Sequence, residues 1–217
     1  MATNLEKTKQ DNFNNFALWF TGLPSSGKST VAKAVENELR RRELRVENLD
    51  ADGLRKNLHP DLGFTKEERG INNRRIGFIT KLLTKNDVAT IIAAVSPFKE
   101  FRQVARELIE EESQFYMIYV ECPVEVCKER DPKGLYTKAE QGKIPNFTGV
   151  THPFEEPTSD EYDLKVNTEK LDPDSAKEKV VQFLSNEGIF SPVDKYTGLN
   201  ENQEEEIKER LRKLGYL

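Results

Sequence analysis

Trp19-Phe20-Thr21-Gly22-Leu23-Pro24-Ser25-Ser26-Gly27-Lys28-Ser29-Thr30 is the stretch that decides the fold. The apolar residues Ala17 to Phe20 read as a buried strand, and Gly22 to Ser29 fits G-x-x-x-x-G-K-[ST], the phosphate-binding loop. Gly22 and Gly27 let the backbone wrap tightly, so that successive N–H groups point at phosphate oxygens. Lys28 brings a cation to the β- and γ-phosphates, and Ser29 offers a hydroxyl to Mg²⁺. A helix opening at Gly27 adds the positive end of its dipole. A strand before the loop and a helix after it set this stretch apart from a chance Gly-rich turn.

Outward from the loop, strands alternate with helices. Gly27 to Arg42 is a helix with Val31, Val35 and Leu39 on one face. Leu44 to Leu49 reads as a second strand that ends at Asp50-Ala51-Asp52, and Lys66 to Lys85 as a helix with Ile76, Ile79 and Leu83 in register. Val88 to Val95 suits a strand buried on both faces, stopped by Ser96-Pro97. Phe101, Val104, Ala105 and Leu108 mark another helix, Phe115 to Glu121 a fourth strand, and Pro123 the start of a short helix. Tyr162 to Val166 is a fifth strand, and Asp172-Pro173 starts a helix with Asp as cap and Pro in the first turn. The alternation implies a three-layer α/β fold: five parallel strands with helices on both faces. Ligands of such sheets bind beyond the carboxyl ends of the strands, so Ser25 to Ser29, Asp50, Asp52 and Ser96 are expected to converge on one crevice.

The 217 residues suit one domain with some extra tail. A polar extension occupies 1–16, the domain 17–189, and a tail 190–217 in which Glu204 to Leu214 reads as a charged helix with an apolar stripe of Ile207, Leu211 and Leu214. That stripe suits packing on its own domain or docking on a partner subunit. Within the domain, 131–157 is rich in Gly, Pro, Lys and aromatic residues and reads as a lid. With 33 basic and 38 acidic residues the net charge is −5, a poor balance for general nucleic-acid binding. No apolar run approaches membrane-spanning length, and the first fifteen residues lack a signal-peptide core, so a cytoplasmic protein is expected. The two cysteines, Cys122 and Cys127, stand in no metal-ligand or redox spacing.

A phosphate-binding loop does not separate a kinase from a switch GTPase. Thr84-Lys85-Asn86-Asp87 has the letters of a guanine-reading motif, but it falls at a helix end before the Val88 strand, on the wrong edge of the sheet. Asp50 and Asp52 suit a kinase, one carboxylate near Mg²⁺ and the other orienting an acceptor hydroxyl or relieving it of its proton. Arg55, Arg69, Arg74 and Arg75 suit an anionic acceptor, since guanidinium pairs bidentately with oxyanions. Phe64 and Phe147, each in a Gly-bearing loop, suit stacking on a base.

These residues resemble one family, adenosine 5′-phosphosulfate (APS) kinase. The resemblance covers about Ala17 to Thr168 and rests on Gly22–Thr30, Asp50–Leu58, Leu62–Arg75 and Val95–Arg102. Its most specific parts are Arg130-Asp131-Pro132-Lys133-Gly134-Leu135-Tyr136 and Asn146-Phe147-Thr148-Gly149. It implies transfer of the γ-phosphate of MgATP to the ribose 3′-hydroxyl of APS, with ATP and Mg²⁺ required. By position, the loop residues Gly22, Leu23, Pro24, Ser25, Ser26, Gly27, Lys28, Ser29 and Thr30 would hold ATP, with Arg130 near its base. Asp52 would hold or deprotonate the 3′-hydroxyl. Arg55, Arg69 and Asn72 would grip the phosphosulfate, Phe64 and Phe147 would sandwich the APS adenine, with Thr148 beside them, and Lys133 would close from the lid. Ser96 matches the family's phosphoserine position, but before Pro97 and a helix it suits capping or substrate contact rather than an obligatory intermediate. Partners implied are nucleotide substrates, a second copy of the chain and an ATP sulfurylase. Departures from the pattern are Pro24-Ser25 for Ser-Gly, Ala51 for Gly, Glu68 for Asp and Asn73 for Ile, and all spare the charged groups. Two other readings remain open: a related kinase with another nucleotide-activated acceptor, and a non-catalytic nucleotide-binding regulator.

Overall fold

Phe16 to Thr21 forms the central strand, β1, in which every residue is buried. The computed structural model describes residues 15–190 and Arg212. The N-terminal extension up to residue 14 and, Arg212 apart, the Glu204–Leu214 helix expected in the tail lie outside them. The remaining elements are α1 (Lys28–Arg41), β2 (Val46–Asp50), α2 (Ala51–Leu58), α3 (Lys66–Thr84), β3 (Ala89–Ala93), α4 (Lys99–Glu110), β4 (Gln114–Glu121), α5 (Val124–Arg130), α6 (Leu135–Glu140), β5 (Leu164–Asn167) and α7 (Pro173–Asn186). The sheet runs β2-β3-β1-β4-β5 with every neighbouring pair parallel, as the alternation of elements requires.

The two-residue period of β1 assigns its side chains to two cores. Phe16, Leu18 and Phe20 face α1 and α7, where Val31, Val35, Leu39, Val180 and Leu184 close over them. Ala17 and Trp19 face α3 and α4, against Ile76, Ala105 and Ile109. Truncating a side chain such as Leu18 here costs about 2–5 kcal/mol. A third, smaller cluster lies under the lid, where Cys122, Cys127, Tyr136, Ala139 and Phe147 pack together. The lid is therefore a structured unit with its own helix, α6, rather than the continuous loop expected over 131–157. Asp131 organises that helix by accepting from the N–H groups of Leu135 and Thr137.

Thr84-Lys85-Asn86-Asp87 is the turn from α3 into the amino end of β3, closed by the Asp87 N–H to the Thr84 carbonyl. It stands at the end of the sheet opposite the phosphate-binding loop and has no access to a base there.

Candidate active site

Gly22 is fixed by crowding. A Cβ at this position would lie 2.4 Å from the carbonyl oxygen of Val120, and its φ is +152°, so the loop passes the end of β4 only as glycine. Gly27, at φ 89°, turns the chain left-handed into α1, whose first turn carries neither a side-chain cap nor an acid. The carbonyls of the loop are tied outward. Tyr136 Oη donates to Pro24 O at 3.0 Å, and Thr168 Oγ1 donates to Ser26 O at 2.7 Å. In a trans peptide the C=O and N–H point in opposite directions, so these anchors turn the N–H groups of Ser25 and Gly27 toward the cavity. Lys28 is nearly buried, with Nζ 2.6 Å from Leu23 O and 3.4 Å from Ser26 Oγ. Burial lowers its pKa from 10.5 to about 8, against the opposing pull of Cys127 and Asp52. A phosphate would supply the counter-charge that burial withholds.

The opposite wall grows from the end of β2. Asp50 is the N-cap of α2, a helix absent from the sequence expectation, and its carboxylate accepts from the N–H groups of Asp52 and Gly53. Asp52 keeps its carboxylate for the cavity, where Oδ2 accepts from Lys133 Nζ of the lid at 2.8 Å, and this contact raises the lysine pKa. The Asp50–Asp52 pair thus divides into one helix cap and one cavity acid.

Phe64 lies between two guanidinium groups, Arg55 at 4.6 Å and Arg69 at 5.4 Å from the ring centre. Arg55 donates to the carbonyls of Leu62 and Gly63, and Arg69 to those of Phe64 and, on the lid, Asn146. Burial, followed by repulsion from Arg55, lowers the Arg69 pKa to about 10, so it stays cationic at neutral pH. Glu68 and Asp52 act on Arg55 from a distance without an ion pair among the described residues, so two cations held together here suit an anion. Phe147 packs edge-on to Tyr136 at 5.0 Å, and Thr148 Oγ1 is buried with no hydrogen-bond partner.

These groups enclose one cavity of about 1260 Å³. Ordinary small-molecule sites span ~300–1,000 Å³, so it has room for a second ligand beside a nucleotide. Pro24, Ser25, Gly27 to Thr30, Asp52, Phe64, Arg69, Arg130, Lys133, Phe147 and Thr148 all line it. Gly22, Leu23 and Ser26 form the frame behind the loop, and Arg55 stands behind Phe64. Arg130 reaches the cavity held by Thr168, whose carbonyl accepts from Nη2 at 2.6 Å.

Besides these four, Ser96 and Asn72 of the expected residues do not line it either. Ser96 is buried beneath the floor, where its hydroxyl accepts from Trp19 Nε1 at 3.0 Å and donates to Asn73 Oδ1 at 2.6 Å. The indole needs a buried partner, and Asn73 supplies the other half of the lock. Nor does Ser96 cap α4; the N–H of Lys99 is taken by Glu155, from the lid end. Asn72 is likewise turned away, with its Oδ1 on His59 Nδ1 at 2.8 Å. The sequence reading passed over Tyr136 as an anchor and Thr168 altogether. A threonine just past a strand carries no signal until the partner loop is known.

The model of the adenylylsulphate kinase family matches residues 14–166. The adenylyl-sulfate kinase of Halothermothrix orenii is 44% identical over 188 residues, which cover 86% of this chain and 99% of that protein. The adenylyl-sulfate kinase of Thermodesulfovibrio yellowstonii is 45% identical over 170 residues, covering 78% and 84%. Among solved structures, the Mycobacterium tuberculosis APS kinase CysC in complex with AMPPNP and APS superposes with a TM-score of 0.75 at 36% identity, over 78% of this chain and 96% of that one. The parallel sheet, the phosphate-binding loop and the match over most of the described domain agree: the chain belongs to the adenylylsulphate kinase family.

Proposed function

We propose that the chain transfers the γ-phosphate of ATP to the 3′-hydroxyl of adenosine 5′-phosphosulfate, giving 3′-phosphoadenosine 5′-phosphosulfate. The observation that carries this is the single cavity with a phosphate-binding loop at one end and, at the other, a carboxylate, an arginine and two phenylalanines. Phosphoryl transfer asks little covalent chemistry of the protein; positioning and charge stabilisation do most of the work. Lys28 and the inward N–H groups of Ser25 and Gly27 hold the donor phosphates. Arg130 and the segment Thr168 to Pro173, which line the same end, form the wall for the donor base. Asp52 orients the acceptor hydroxyl and takes its proton as the bond to phosphorus forms. Arg69 pairs with the phosphosulfate, and Phe64 and Phe147 cover the acceptor base.

Mg²⁺, when bound, neutralises charge on the β- and γ-oxygens. The donor set fits it, because Ser29 and Asp52 offer hard oxygen atoms to the cavity. Among the described residues no three His, Cys, Asp or Glu side chains cluster. Mg²⁺ suits such a site, because it commonly keeps its waters and takes one or two protein ligands beside substrate phosphates. Lys28 and Asp52 face one cavity, which favours a catalyst over a purely regulatory nucleotide-binding domain. An association with ATP sulfurylase has no feature of the described surface to support it.

The test is an acceptor panel assayed with MgATP and the full chain: APS, adenosine 5′-phosphate and other nucleotide-activated groups with a free 3′-hydroxyl. Transfer to APS in large preference, with the label on the 3′ position, is expected. Preference for another acceptor would replace the substrate while keeping the kinase, and ATP binding with no transfer to any acceptor would leave only a binding domain.

A further inference from the structure

A buried chain of hydrogen bonds runs beneath the floor of the cavity, from the central strand to the first turn of α3. Trp19 Nε1 donates to Ser96 Oγ at 3.0 Å, Ser96 Oγ donates to Asn73 Oδ1 at 2.6 Å, and Asn73 Nδ2 donates to the carbonyl of Arg69 at 2.9 Å. Trp19, Ser96 and Asn73 are all buried. The two ends fix the direction of every link. An indole nitrogen only donates and a carbonyl only accepts, so the hydroxyl and the amide between them have one arrangement each. A flipped Asn73 amide would turn its oxygen onto the Arg69 carbonyl and set two acceptors together. Ser96 is held from a further side, where Arg102 Nη1 donates to its carbonyl at 3.1 Å and to Glu155 O, at the lid end, at 2.9 Å. The φ of Ser96 is +42°, a strained backbone for a serine, and such strain persists only where the surroundings over-determine it.

We infer that Asn73 is a positioning residue, which registers Arg69 at the acceptor end of the cavity against the strand that carries the donor loop. The inference rests on the reading of Arg69 as the partner of the acceptor's phosphosulfate. The ends of the chain give it this use. Trp19 lies on β1, which runs directly into Gly22 and the phosphate-binding loop. Arg69 leaves the first turn of α3, and its guanidinium donates only to the carbonyls of Phe64 and Asn146 among the described residues. No carboxylate pins it, so its place follows its own main chain, and Asn73 ties that main chain to β1. Asn73 itself does not line the cavity, so it reaches the acceptor only through Arg69. Transfer depends on the spacing of donor phosphate and acceptor hydroxyl, and small displacements of the groups that hold them are costly.

The experiment is calorimetry of APS and of ATP on the full chain, in a double-mutant cycle of Asn73→Leu and Arg69→Met, with thermal melts to check folding. Asn73→Leu keeps nearly the same volume and removes both links of the amide. It is expected to weaken APS on the order of tenfold and to leave ATP within about twofold of wild type. In the Arg69→Met background it is expected to weaken APS no further, because the guanidinium it places is gone. Ser96→Ala unpins the amide from its other side. It is expected to show the same pattern at roughly threefold, and it carries the test if Asn73→Leu does not fold. Arg69→Met binding APS like the wild type would overturn the reading of Arg69, and the inference with it. Where Arg69→Met does weaken APS, the inference alone is overturned by an Asn73→Leu loss of the same size in both backgrounds, by an equal loss of ATP, or by a lowered melting temperature with both affinities unchanged.

Discussion

At the donor end of the cavity the loop itself is anchored: Ser26 is fully buried and Lys28 is 7% exposed, and the loop carbonyls are held by Thr168 and Tyr136, while Ser29 and Thr30 at the start of α1 stay exposed. At the acceptor end the side chains of Asp52 and Lys133 are 78% and 67% exposed, and Phe64 lies half in solvent. The donor cradle is rigid before any ligand arrives, and its N–H groups need no reorganisation to receive charge. The acceptor wall is joined across the lid by the exposed Asp52–Lys133 pair, worth about 0–1 kcal/mol, and by the hydrogen bond from Arg69 to Asn146. A ligand can displace contacts that weak. Damage to the rigid end should therefore appear as lost transfer, and damage to the open end as lost acceptor affinity.

The largest effect is expected at Lys28. Replacing it with Met removes the cation at the transferring group and should cut transfer by about 10²–10³-fold or more. The same change should raise the melting temperature of the ligand-free protein at pH 7. Burial holds the Lys28 pKa at about 8 against 10.5, so a charged amine here costs the fold on the order of 3 kcal/mol below pH 8. Between the two values the unfolded chain binds more protons than the folded one, and the wild type gains stability as pH rises. The advantage of Lys28→Met should then shrink in melts run from pH 7 to pH 10. Transfer within about tenfold of wild type, roughly 1.4 kcal/mol, would contradict the role.

Phe64 and Phe147 come next. If both rings cover one base, removing either should weaken APS by roughly tenfold to a hundredfold, since base–aromatic stacking is worth about 1–3 kcal/mol, and leave ATP nearly untouched. The losses should be non-additive in a double-mutant cycle read by calorimetry, because one missing face already lets the base slip. Equal losses for both nucleotides would reduce the rings to loop packing, which the edge-on contact of Phe147 with Tyr136 already supplies in part. A smaller effect is expected at Thr168. Thr168→Val strands the Ser26 carbonyl at a cost of about 1 kcal/mol, so the KM for ATP should rise roughly fivefold while kcat at saturation changes less. Thr168→Ser keeps the hydroxyl and should stay near the wild-type KM; a KM raised by Thr168→Ser but unchanged by Thr168→Val would show that only the methyl packing near Gly27 matters.

The difference between the two ends also explains what could be read from the sequence. The donor end is one contiguous stretch whose spacing is set by local backbone geometry, so loop, strand and helix are visible together. The sheet was legible because β1 and β3 are buried on both faces and must be apolar throughout. The acceptor end gathers residues from Asp52, Phe64, Arg69, Lys133 and Phe147, and only the family resemblance brought them together. Where short-range signals conflict with long-range partners, the sequence misleads. Asp50-Ala51-Asp52-Gly53 has the composition of a turn, yet Asp50 caps a helix. Ser96 follows a strand end like the cavity residues, but the buried indole of Trp19, 77 residues away, claims its hydroxyl.

Asp52 is the hinge of the comparison, because it sits at the boundary of the two ends and could serve either. Asp52→Asn keeps the shape and removes the charge. Steady-state transfer to APS and the dissociation constant of ATP, measured on the same variant, separate the two roles. If Asp52 orients and deprotonates the acceptor, transfer should fall by about 10²–10⁴-fold while ATP binds within about twofold of wild type. Transfer near the wild-type rate combined with a clear loss of ATP affinity would instead make Asp52 a donor-end residue, and the division of the cavity described here would be wrong.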